Sequence, residues 1–207
     1  MRPVLIYPLL AVCFAFAAAA AATSRIPSGL TVILDFRGAH SDSSILEMER
    51  ESGSILKTTG LKLAWRMRDD APGTAYANLV VMTFKGACKF DPTPRVYDEL
   101  GPLANTKTTN HIIQSFGQVD CDHVVGTARS AMFGSDYAHA DMLVGRALGR
   151  VVAHEIVHML TKSAEHGRDG VFKESLSGKQ LIAPSLPLSA MDVDRLMSVM
   201  SGYESEQ

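Results

Sequence analysis

The sequence is short of charge of any one sign. Its 20 lysines and arginines stand against 22 aspartates and glutamates, a formal net charge of −2, and the basic residues form no cluster. A balance this mild argues against a nucleic-acid partner and against docking on an anionic membrane, both of which need a concentrated positive field. Also absent are the Gly-x-Ser-x-Gly elbow of serine hydrolases, a phosphate-binding loop and a dinucleotide fingerprint, so none of those chemistries has its signature here. No internal repeat occurs, and beyond the first residues no low-complexity segment or clear domain boundary is visible. Cysteine is scarce too, with Cys13, Cys88 and Cys121 the only three.

The first residues have their own logic. Met1–Arg2 carries one positive charge, Val4–Phe16 is apolar, and Ala17–Ala22 supplies small residues with an Ala-x-Ala match at Ala20–Ala22. This is the pattern of a secretory signal, residues 1–22. The stretch is short for a spanning helix and has no stop-transfer pattern, so no stable membrane insertion is expected once the signal is removed. A lipoprotein reading of Cys13 meets a bulky Val12 where a small residue is wanted. The mature chain, residues 23–207, is about the size of one globular domain. It is expected to be secreted or periplasmic, and monomeric. Cys13 leaves with the signal, and the remaining pair, Cys88 and Cys121, is expected to form a disulfide in an oxidising compartment.

Apolar periodicity outlines the fold. Residues Leu30–Phe36 are almost continuously apolar, as in a strand buried on both faces. Ser41 or Asp42 can cap a helix over Ser43–Lys57, which Gly53 weakens. Leu61–Met67 alternates as a half-buried strand, and Asn78–Lys85 is a further apolar strand. The stretch Asp91–Thr109, with Pro92, Pro94, Gly101 and Pro102, reads as loop, and His111–Phe116 with Gly117, Gln118 and Val119 as a short strand or a bent pair. A long helix runs from near Ala140 to about Thr161, apolar around most of its surface and therefore central; Gly145 and Gly149 would permit close packing against it. A last helix is expected over Ser189–Met200, capped by its serine. The fold class is α/β (α+β): a twisted mixed sheet with a backing helix and an active-site helix.

The chemistry is concentrated in that long helix, at Ala153-His154-Glu155-Ile156-Val157-His158. Residues four apart stand one turn above each other on one helix face, so His154 and His158 can reach a single metal ion. Glu155 lies beside that face without ligating, where it can hold a water acidified by zinc and take its proton. Burying two imidazoles and a carboxylate with no metal or partner would be costly. A catalytic zinc site wants three protein ligands and one open position. The candidates for the third are His166, Glu165 and Glu174. His166 is favoured, since the chain can leave the helix and turn back within eight residues. His40, His111, His123 and His139 are isolated from one another and read as surface or locally bonded groups.

On these residues the chain resembles the metzincin clan of zinc peptidases. The match comprises His154-Glu155-x-x-His158 with His166, and Gly170-Val171-Phe172 at the place of the clan's methionine-bearing turn. The segment Ser189–Tyr203 stands where the clan has its C-terminal helix, and the strand–helix–strand–strand opening agrees as well. Three positions depart from the pattern: the third histidine comes two residues late, Thr161 occupies the place of the turn glycine, and Phe172 that of the methionine. No latency cysteine motif is visible. The resemblance implies a secreted zinc-dependent endopeptidase with one zinc ion per chain, a peptide or protein substrate and Glu155 as catalytic base. The rival is a zinc-holding protein that binds peptides without turnover. It further implies that substrate lies extended along an edge strand above the metal, for which His111, Ile112, Ile113, Gln114, Ser115 and Phe116 are the expected residues.

Overall fold

The computed structural model describes residues 29–71, 73, 75–76, 78–93 and 101–202; the expected signal, 1–22, lies outside them. Strand β1 (Gly29–Phe36) leads into helix α1 (Asp42–Lys57). Ser41 caps that helix by accepting from the Ser44 backbone N–H, and Ser44 reciprocates, which satisfies two donors that the first turn leaves open. The helix runs straight through Gly53, because burial of its apolar face outweighs the propensity cost of one glycine. Strands β2 (Lys62–Met67) and β3 (Leu79–Lys85) then pair in parallel on either side of β1. This explains the continuous apolar run of β1: it lies inside the sheet.

The next two strands correct the sequence reading. Residues Ala104–Thr109, within the stretch expected to be loop, form β4, and Ile112–Asp120 form β5. The two make an antiparallel hairpin turned by Asn110 and His111, with φ of 50° and 64°, the left-handed pair that a tight hairpin needs. The sheet order is β2-β1-β3-β5-β4, with β5 parallel to β3. β4 therefore lies at one edge of the sheet, opposite β2, and the segment 111–116 expected at the edge is one turn residue followed by an inner strand. β4 reads Ala-Asn-Thr-Lys-Thr-Thr and is largely exposed, so it carries no apolar alternation by which to be recognised.

Among the described residues four α-helices follow: α2 (Cys121–Arg129), α3 (Ala140–Thr161), α4 (Gly178–Ile182) and α5 (Ala190–Ser201, capped by Ser189). Alternate residues Leu30, Val32 and Leu34 of β1 and Val80, Met82 and Phe84 of β3 join Met48, Leu56, Leu148 and Ile156 in one buried cluster between sheet and helices. Helix α3 lies tight against α1. A Cβ at Gly145 would stand 2.5 Å from the Ser44 carbonyl oxygen, and one at Gly149 would stand 2.7 Å from that of Met48. It also lies tight on the sheet, since a Cβ at Gly117 of β5 would come within 2.6 Å of Met159 Cε. One turn ahead of His154, the fully buried Arg150 bonds Glu51 at 2.8 Å and the carbonyls of Gln180 and Ala183, tying α4 to α1 and α3. Cys88 and Cys121 form a disulfide that joins the end of β3 to the start of α2. Among the described residues no helix is long and apolar enough to cross a membrane.

Candidate metal centre

The last two turns of α3 carry His154, Glu155 and His158, and the chain beyond it supplies the rest. Thr161, which stands where a turn glycine was expected, is still helical. The left-handed turn falls one residue later, at Lys162, with φ of 52°. A lysine in this region is strained relative to glycine; here its ammonium donates to the Ile113 carbonyl at 3.2 Å and fastens the turn to β5. The longer return also gives the His158 ring its support, for Nδ1 donates to the Ser163 carbonyl at 2.7 Å. His166 then comes back over the helix. Gly170, at φ 69° and with a Cβ position only 2.5 Å from the Pro187 carbonyl oxygen, turns Val171 and Phe172 inward. The Val171 carbonyl accepts from His154 Nδ1 at 3.0 Å. The buried Phe172 ring lies under all three imidazoles, its centroid 5.1, 4.8 and 5.8 Å from those of His154, His158 and His166.

Three ring nitrogens converge as a result. His158 Nε2 lies 3.1 Å from His154 Nε2 and 3.2 Å from His166 Nε2, and the group is compact enough to share one ion. A carbonyl can only accept, so the bonds to Val171 and Ser163 place the protons of His154 and His158 on Nδ1. Their Nε2 atoms then present lone pairs. Burial draws the His154 pKa down to about 4, against the Val171 bond that favours the charged form, and lowers that of His158 as well. Both rings are neutral at pH 7. Two lone pairs facing each other at 3.1 Å with no proton between them repel unless a cation lies among them. Nitrogens on a tetrahedral zinc at ~2.0–2.1 Å would stand about 3.3 Å apart, close to the two spacings at His158 Nε2, and all three nitrogens lie within 4.8 Å of one another. Three imidazoles with a fourth side left open suit zinc in a catalytic arrangement.

Glu155 is 5% exposed and makes no contact that would count it among the ligands. Its Oε2 accepts from the Thr106 hydroxyl of β4 at 2.5 Å. Burial raises its pKa to about 7, opposed by that hydrogen bond. The alternative third ligands stand apart: Glu165 is an exposed partner of Arg195 at 3.2 Å, and Glu174 lies on the cleft rim outside the histidine group. The histidines, Glu155 and Thr106 open on a cleft of about 1010 Å³. Of the residues expected to bind substrate, Ile113 alone lines it, and β4 supplies Ala104, Asn105, Thr106 and Thr108. Sequence reasoning missed Thr106, whose strand had no apolar signal.

No protein-family model matches this chain, and no curated protein does. Among solved structures it is similar to archaemetzincin from Methanopyrus kandleri, with a TM-score of 0.50 and 11% identity over 86% of this chain and 99% of that one. At that identity the likeness concerns the fold, and the α/β architecture expected from the sequence is the one the two share.

Proposed function

We propose that this chain is an exported zinc peptidase in which His154, His158 and His166 hold one zinc ion and Glu155 is the catalytic base. The observation that carries this reading is the convergence of three imidazole nitrogens, with the ring protons of His154 and His158 committed to carbonyls. Such a group needs a cation, and a non-ligating carboxylate stands beside it in a cleft. When bound, zinc would acidify a water and polarise a carbonyl. The protein's own residues do the remainder. Glu155 takes a proton from the water and returns it to the leaving amine. Phe172 packs beneath the rings, and the Val171 and Ser163 carbonyls fix the tautomers that leave the Nε2 atoms free to ligate. The outer edge of β4 offers backbone donors and acceptors that an extended peptide can satisfy, so the substrate seat moves from 111–116 to Ala104–Thr109. The cysteine bridge fits an oxidising compartment.

The test is Glu155→Gln. The amide keeps the side chain's size but cannot take a proton, so the variant should retain zinc and fold while its peptide hydrolysis falls by roughly 10²-fold or more. Hydrolysis at the native rate would refute Glu155 as the base.

A further inference from the structure

We infer that Thr106 is a positioning residue for Glu155, its hydroxyl pinning one carboxylate oxygen so that the other is presented as the base. The inference rests on the peptidase reading of the site. A carboxylate 5% exposed has little water to orient it, and a glutamate side chain left to itself has several rotamers to sample. Among the described residues Thr106 is the one hydrogen-bond donor to Glu155, at 2.5 Å onto Oε2, while Oε1 has no hydrogen-bond partner. A bond from a hydroxyl to an ionised carboxylate is short and strong when partly buried.

The sheet is built so that this contact is possible. Thr106 pairs with Gly117 across the β4–β5 ladder, and directly opposed residues point to the same face. A Cβ at Gly117 would meet Met159 Cε at 2.6 Å and Met82 Sδ at 2.8 Å, so the missing side chain lets α3 settle close over this part of the sheet. Glu155 lies one turn before Met159 on that helix, within reach of the neighbouring strand. The ladder then shifts register between Thr106 and Thr108, with the extra residues on β5, so regular pairing beside Thr106 stops there. The two elements that would hold peptide and metal are thereby linked through one hydroxyl. A peptide lying on β4 would steady the strand whose side chain orients the base.

The consequence is a loss confined to turnover. Thr106→Val keeps the β-branched shape and the backbone but has no donor. Freed to rotate, Glu155 should lower kcat by roughly 10- to 100-fold, the scale set by small misplacements of a catalytic group, with KM within about twofold of native because the backbone groups that β4 offers a peptide are retained. Thr106→Ser restores the donor and should recover most of the rate. Zinc content should be equal in all three proteins. Independently of activity, the side-chain carboxyl ¹³C resonance of Glu155, assigned by its disappearance in Glu155→Gln, should move in Thr106→Val and return in Thr106→Ser. Should the native protein cleave no peptide, the peptidase reading falls, and the resonance still decides whether Thr106 holds Glu155. A native kcat in Thr106→Val, or a carboxyl resonance unmoved by it, overturns the inference.

Discussion

Glu155 on one side and His154 and His158 on the other pull folding stability in opposite directions as pH changes. Stripped of metal, the folded chain holds the Glu155 proton up to about pH 7, whereas the unfolded chain releases it near 4.5. Its contribution is therefore complete below 4.5 and lost as pH rises towards 7. His154 behaves in the reverse sense: its pKa of about 4 against 6.5 means that the unfolded chain binds the extra proton, and the cost is relieved as pH rises through that window. His158 shifts the same way. Each large shift is worth on the order of 3 kcal/mol when fully expressed. Between pH 4.5 and 6.5 the two effects offset each other, and Glu155→Gln removes one of them. Denaturant titrations of the metal-free proteins should show stability climbing more steeply with pH in the variant, and parallel curves would contradict the shifts. The spacing of His154, Glu155 and His158 was legible because helical geometry fixes it. Thr106 was not, since a hydroxyl on a polar strand has no periodicity and its partner is 49 positions away.

Elements were recognisable wherever burial imposed a period. β1 and α3 have almost continuous apolar surfaces, and their positions follow from that. β4 is polar and exposed at a sheet edge, and short α2 announces itself only by the Asp120 side chain accepting from the His123 N–H. The end of α3 near Thr161 was legible, whereas the left-handed turn beyond it was not, because Lys162 adopts a conformation usually left to glycine and is held by a bond to β5 that no local pattern encodes. Packing between α1 and α3 gives a direct contrast between two glycines. Gly149→Ala would place a methyl 2.7 Å from the Met48 carbonyl oxygen and 3.2 Å from Ser52 N, both backbone atoms of α1, and should destabilise by about 1–3 kcal/mol. Gly53→Ala, also helical, meets nothing within 4 Å and should stabilise by about 0.5–1 kcal/mol. Urea midpoints of the two variants should move in opposite directions; a shift of the same sign in both would refute the close packing of the two helices.

For the molecule as a whole, the mixed sheet with helices packed against it was readable as a class, but its strand order was not. Pairing β3 with β5 while sending β4 back to the edge depends on contacts far apart in sequence. The Cys88–Cys121 bridge closes one such connection, spanning 33 positions. It should contribute roughly 3–4 kcal/mol on the chain-entropy account. Replacing both cysteines by serine should lower the denaturant midpoint accordingly, and an unchanged midpoint would mean that the bridge adds nothing. The central claim concerns the metal. Zinc content and peptide cleavage measured on one sample of the purified chain, before and after chelation and after zinc is restored, test it most directly. One zinc per chain, with cleavage that vanishes on chelation and returns with zinc, is the predicted result; a chain that binds no zinc, or cleavage that persists after the metal is gone, would contradict it.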